Sequence, residues 1–152
     1  MIPIALKLLK ADLFLSPDGF ISLNTSVPTL SVMHDLNFEY YPNDLPLIER
    51  NYYKHYFPLF ARKATRIATV SEYSKQDIAQ LYHIDPHKID VVYNGASLKF
   101  KPIHEPIKST IRNQYAEGHP YFVFVGSLHP RKNLARLFSA FDLFCQSSPN
   151  NQ

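Results

Sequence analysis

Short runs of strand formers alternate with longer helix-period segments through most of the chain. That alternation constrains the fold more than any other feature. Residues 12–16, 29–33, 66–70, 89–93 and 121–125 are each five residues long and read as strands. Residues 4–10 read as the end of a helix. In residues 45–63, Ile48, Tyr52, Tyr56, Leu59 and Phe60 recur at spacings of 4, 4, 3 and 1, which makes one apolar helical face. Pro58 lies inside that pattern, removes an amide donor and predicts a kink or break near Phe57. Ser71 is a good N-cap for a helix over 71–82, with Ile78, Leu81 and Tyr82 turned inward. Leu134, Leu137, Phe138, Phe141 and Cys145 give residues 131–146 a clear helical stripe. Strands and helices alternating in this way predict an α/β fold with parallel sheets and helices on both faces.

The chain breaks most clearly at Asn94-Gly95-Ala96, where Asn and Gly accept left-handed backbone. Residues 97–106 hold two prolines and little periodicity, which suits a linker. Ile107, Ile111 and Tyr115 then mark a helix stopped by Gly118. Neither side of the linker has the five or six strands usual in a doubly wound sheet. The pattern therefore reads as the end of one α/β domain and the start of another.

Composition excludes several function classes. With 45% hydrophobic and 19% charged residues, global disorder is ruled out. A net charge of +3 is too small to announce a nucleic-acid binder, and none is expected. Cys145 is the single cysteine, so an internal disulfide framework and a Cys-rich zinc module are excluded, and a reducing, cytoplasmic compartment fits. No apolar stretch approaches the ~18 residues of a spanning helix. The opening segment carries Lys7 and Lys10 inside its apolar run and reads as structure rather than a leader. The polar tail, residues 147–152, is the one low-complexity stretch.

Three places carry candidate chemistry. Residues 121–125 run into Gly126, then His129-Pro130-Arg131-Lys132-Asn133 at the start of the last helix pattern. A helix N-terminus presents free amides to an anion, and two cations there are easier to understand if an anion such as a diphosphate sits between them. The alternative is a surface Arg-Lys pair. His34-Asp35 stands at the carboxyl end of a strand, where ligands collect in open α/β sheets, although a lone His is more often a hydrogen-bonded structural group. Arg50, Lys54, Arg62, Lys63 and Arg66 lie beside tyrosines and suit an anionic membrane surface or simply a solvated helix face. His83 and His87 are separated by Pro86, which breaks the helix that would align them on a metal. No Asp-x-Asp, Walker loop, Gly-x-Gly-x-x-Gly or Gly-x-Ser-x-Gly is present.

Several motifs stand in one recognisable order: Val32-Met33-His34-Asp35-Leu36, then Tyr52-Tyr53, then Ala61-Arg62-Lys63-Ala64. Ile67 to Ile78 follows with Ser71-Glu72-Tyr73-Ser74-Lys75, then Val91-Val92-Tyr93-Asn94-Gly95, then Phe124-Val125-Gly126 and Arg131-Lys132-Asn133-Leu134. The set resembles the retaining, nucleotide-sugar-dependent glycosyltransferases of GT-B fold, in particular the bacterial mannosyl- and glucosyltransferases of cell-surface polysaccharides. The resemblance implies parts of two Rossmann-like domains: residues 1–93 on the acceptor side, a linker over 94–106, and residues 107–152 opening the nucleotide-sugar domain. It implies that His34 lies by the transferred sugar and that Gly126, Arg131 and Lys132 meet the donor diphosphate. Lys132 would neutralise charge on the leaving group, a role that needs no metal or other cofactor.

Expected partners are a nucleotide diphosphate-sugar and a saccharide or lipid-linked acceptor, with room for peripheral contact at the inner face of the membrane. Two departures stand out. Ser127 takes a position where the family usually has arginine, so that Arg131 substitutes, and neither a Glu-x7-Glu element nor a glycine-rich acceptor loop has a counterpart. The chain is thus expected to be the central portion of a longer enzyme, truncated at both ends. Alone, it is expected to have negligible transferase activity, a low melting point and a tendency to self-associate through exposed edges. The competing expectation is a non-catalytic module that binds a membrane surface or a protein through the basic, Tyr-rich stretch 50–66.

Overall fold

The computed structural model describes residues 2–147. Residues 148–152, the end of the polar tail, lie outside the described residues. The chain divides into two compact units, Met1–Ala96 and Ser97–Gln152.

The first unit is α/β: a four-strand parallel sheet flanked by helices. Its elements are α1 (Ile2–Leu8), β1 (Phe14–Ser16), β2 (Thr29–Val32), α2 (Asn37–Tyr40), α3 (Leu47–Lys63), β3 (Arg66–Thr69), α4 (Glu72–Tyr82) and β4 (Ile89–Val91). The spatial order is β1-β2-β3-β4, and every neighbouring pair is parallel. The register aligns Ser16, Ser31, Ile67 and Ile89 across all four strands. This row shares a sheet face with Met33 and Thr69, and the face is buried. On it Met33, Ile67 and Ile89 pack with Phe57, Phe60 and Ala61 of α3 and with Ile78 and Tyr82 of α4. Fully burying each large side chain contributes roughly 1.5–3 kcal/mol. On the opposite face Leu15 is 54% exposed, and Arg66 and Asp90 form an exposed ion pair.

The core-forming helices therefore lie on one face of the sheet, where the alternation predicted both. The reason is topological. Consecutive strands that are also spatial neighbours, joined by right-handed crossovers, return each helix to the same side.

Helix α3 corrects two expectations. It runs unbroken through Pro58. Its inward residues are Phe57, Phe60, Ala61 and, partly, Tyr53 and Tyr56, while Ile48 is 84% exposed and Tyr52 is also exposed. The buried stripe is thus turned about one residue from the one read in the sequence. Lys88 closes the end of α3: its Nζ donates to the carbonyls of Ala61 (3.0 Å) and Arg62 (2.8 Å), which no intrahelical amide reaches. Burial pushes the Lys88 ammonium pKa down. Helix α4 starts as expected, with the Ser71 hydroxyl accepting from the Ser74 amide at 3.1 Å. It ends at His83 in left-handed conformation (φ 55°). Leu81 faces out, and Ser74 and Asp77 are buried in its place.

The second unit holds α5 (Ile107–Ala116), a 3-10 turn (Pro130–Lys132) and α6 (Leu134–Ser147). Residues 121–125 form no strand, contrary to expectation, and Tyr121, Phe122, Val123, Phe124 and Val125 are all exposed. A strand exists only against a neighbour that takes up its amides and carbonyls, and among the described residues this unit supplies none. Helix α6 begins at Leu134 rather than at Arg131, because Asn133 adopts φ 52° and separates the turn from the helix. Its stripe is exposed at Leu137, Phe138 and Phe141. Phe122 rests against the rings of Phe141 (6.0 Å) and Phe144 (5.7 Å). Among the described residues no helix is long and apolar enough to cross a membrane.

Candidate functional site

The first candidate site lies in the first unit, at the carboxyl ends of β1 and β2. Strand β1 stops at Pro17-Asp18-Gly19, where Gly19 takes φ +82°. Strand β2 continues through Met33, whose amide donates to the Ala68 carbonyl at 2.8 Å, and then leaves the sheet at His34 and Asp35. Two side chains of this segment hold the turn. The buried Ser31 hydroxyl donates to the Gly19 carbonyl at 3.1 Å, and His34 Nε2 lies 3.0 Å from the Pro17 carbonyl oxygen. A carbonyl only accepts, so Nε2 carries the proton. Nδ1 is left as the free ring nitrogen, an acceptor in the neutral imidazole. Asp35 Oδ1 accepts the Asn37 amide at 2.9 Å and so starts α2.

Together these segments wall a concavity of about 370 Å³. His34 and Asp35 line it from β2, Asp18 and Phe20 from the β1 turn, and Tyr53 and Phe57 from α3. The rings form a connected floor: Tyr53 and Phe57 have centroids 4.9 Å apart, and Phe38 lies 4.9 Å from Phe57.

Helix α2, directly after the site residues, is fastened to α4 by two crossed hydrogen bonds. The Tyr40 hydroxyl donates to Asp77 Oδ1, and the Tyr82 hydroxyl donates to Glu39 Oε1 at 3.0 Å. The bond to Asp77, then burial and that carboxylate's charge, push the Tyr40 phenol up to about 12. Burial, then the charge of Glu39, pushes Tyr82 upward as well. At the end of β3 the buried Thr69 Oγ1 has no hydrogen-bond partner among the described residues.

The other three sequence-predicted residues belong to the second unit. Arg131 and Lys132 sit together in the 3-10 turn, exposed and ahead of α6 rather than in its first turn. His129 caps the turn: its Nδ1 accepts the Arg131 amide at 3.2 Å, and its carbonyl accepts the Lys132 amide at 2.8 Å. Gly126 precedes the turn in the same exposed segment. A Cβ there would come within 2.9 Å of the Phe124 ring tip, an exposed side chain that can swing aside. Of the basic stretch, Arg62 and Lys63 are exposed at the end of α3. Arg66 is instead on β3, where its guanidinium bonds Asp90 (Nε to Oδ2, 3.0 Å) and holds that carboxyl pKa down. Among the described residues no group of three His, Cys, Asp or Glu side chains gathers as a metal centre.

Asp18, Phe20, Tyr53 and Phe57 were not marked by the sequence as site residues. The available signals were the turn after β1 and the i, i+4 pair of Tyr53 and Phe57, which shares one helical face.

The sequence model described as Glycosyltransferase Family 4 matches residues 5–100. The O-antigen chain mannosyltransferase RfbU of Salmonella typhimurium (strain LT2) is 30% identical to this chain over 102 residues, which is 67% of this chain and 25% of that protein. The chain therefore spans about a quarter of the length of that relative. Every residue lining the concavity around His34 falls inside the span of the family match.

Proposed function

The chain belongs to Glycosyltransferase Family 4, and from that premise we propose that it serves transfer of a sugar from a nucleotide diphosphate-sugar to a saccharide or lipid-linked acceptor, with retention of configuration. On this reading residues 1–93 belong to the acceptor-side Rossmann-like domain, 94–106 to the linker and 107–152 to the nucleotide-sugar domain. The observation that carries it is the family match over residues 5–100, which encloses the His34 concavity. His34, with Nε2 committed to Pro17, offers Nδ1 to a sugar hydroxyl. Arg131 and Lys132 stand in one turn as paired cations for the donor diphosphate, and Gly126 keeps its approach open. Positive charge placed where the leaving diphosphate gains negative charge lowers the barrier, and this asks for no divalent ion.

The test is donor binding. Phosphorus NMR of a guanosine- or uridine-diphosphate sugar is expected to broaden on adding the chain and to recover at least tenfold in an Arg131→Ala/Lys132→Ala variant. Equal broadening by the two proteins would refute the assignment. A second reading rests on α3, whose outer side exposes Leu47, Ile48 and Tyr52 near Lys54. Such a surface suits peripheral contact with an anionic membrane. Co-sedimentation with anionic but not neutral vesicles, lost on charge reversal at Lys54, Arg62 and Lys63, is the outcome that favours it.

A further inference from the structure

Resting on the reading of the His34 concavity as a sugar site, we propose that it takes an uncharged saccharide end and rejects phosphorylated ones. The rim charge carries the argument. Asp18 and Asp35 both line the concavity, and among the described residues no lysine or arginine lines it. The ion pair found among the described residues joins Arg66 to Asp90, so neither rim carboxylate is neutralised. Asp35 uses Oδ1 to start α2 and keeps Oδ2 free. Ionised carboxylates only accept hydrogen bonds, and the edge of a saccharide is a row of hydroxyl donors. His34 adds an acceptor at Nδ1 and no charge in its neutral form.

The floor fits the same ligand. Phe20 meets Tyr53 at 5.7 Å and Phe57 at 5.5 Å, both edge to face. A pyranose has a C–H face that packs on such rings without any charge partner, and pockets of this kind take specificity from a few polar groups at the edge. A phosphate dianion in the same place meets two like charges and, among the described residues, no lining cation. Discrimination then comes from repulsion, and about tenfold is expected at physiological salt.

The experiment titrates the isotope-labelled chain with methyl α-D-mannopyranoside and, separately, with mannose 6-phosphate, following the Tyr53, Phe57 and Asp18 signals by NMR. The neutral sugar is expected to shift them, with the phosphate ester at least tenfold weaker. In an Asp18→Asn/Asp35→Asn variant that gap is expected to close to threefold or less. Asparagine still accepts the Asn37 amide, so α2 keeps its start, and an unchanged circular dichroism spectrum checks this. If mannose 6-phosphate shifts these signals as strongly as the neutral sugar, the sugar site stands and the charge selection is wrong. The charge selection is equally wrong if the gap survives in the variant. If neither probe shifts them up to tens of millimolar, the sugar site itself is wrong and the selection falls with it.

Discussion

Gly19 joins the end of β1 to the floor of the concavity, and replacing it tests that joint. Its φ of +82° lies in the left-handed region, where an L residue with a Cβ costs about 1–2 kcal/mol. A Cβ built there meets Phe57 Cε1 at 3.1 Å, which is tight, with Phe57 itself only 5% exposed and unable to withdraw freely. That contact adds on the order of 0.5 kcal/mol. Alanine also narrows the unfolded ensemble, which returns about 0.4–1 kcal/mol. The net expectation for Gly19→Ala is a loss of about 1–2 kcal/mol. The chain has no tryptophan, so far-UV circular dichroism and tyrosine fluorescence report unfolding in urea. With a slope of ~1–3 kcal/mol/M, the midpoint falls by roughly 0.3–2 M. Gly19→Asn separates the two causes. It adds the same Cβ but tolerates left-handed backbone, so it is expected to recover about half the loss. A Gly19→Ala midpoint equal to wild type refutes the reasoning, and an asparagine variant less stable than alanine refutes the assignment to backbone strain.

Three further outcomes are expected. Tyr40, held up to about 12, and Tyr82, also raised, both bind their protons more tightly folded than unfolded. Their stabilisation is fully present below the ordinary phenol value of ~10 and is lost as pH rises from there through about 12. Urea midpoints should fall over that window, and Tyr82→Phe should flatten the fall while costing about 1–2 kcal/mol at neutral pH by stranding Glu39; a flat wild-type profile sinks the idea. Arg66→Gln should leave the urea midpoint unchanged, because the pair with Asp90 has half-exposed partners at 50% and 53%, and a clear drop would show that water screens it less than its exposure implies. Amides of residues 121–125 should exchange with deuterium far faster than those of β3, since they lack ladder partners; equal protection would mean that a strand forms there.

Much of the first unit was legible because its signals are local. Ser71 capped its helix as the sequence says, since an N-cap needs only its own hydroxyl and an amide three residues on. The strands around Leu30 and Ile67 were legible as five-residue runs, although each pairs over four. What failed depended on partners. The face of α3 was half legible: Tyr56 and Phe60 do turn toward the core, but Ile48 and Tyr52 of the same stripe are exposed and Tyr53, Phe57 and Ala61 are inward instead, because only the sheet decides which side is buried. The run at 121–125 is five strand formers with no pairing neighbour among the described residues, so propensity had nothing to act on.

The site divides along the same line. The position of His34 at the end of β2 was legible, because a strand's carboxyl end is visible as the place where an apolar run stops. Asp18 and Phe20 were not found, because β1 and β2 are separated by twelve residues and their ends meet only through parallel pairing. Tyr53 and Phe57 come from an element that begins fifteen residues beyond Val32 and returns over the same face. The crossed Tyr40–Asp77 and Tyr82–Glu39 bonds were equally hidden, being 37 and 43 residues apart. Yet those bonds fix α2, and α2 is started by Asp35, a rim group of the concavity. The rim geometry therefore depends on contacts that no local pattern encodes. A loosened clasp should shift the Asp35 signals before the β-sheet does, which places the site's rigidity in the α2–α4 bonds rather than in the strands that announced it.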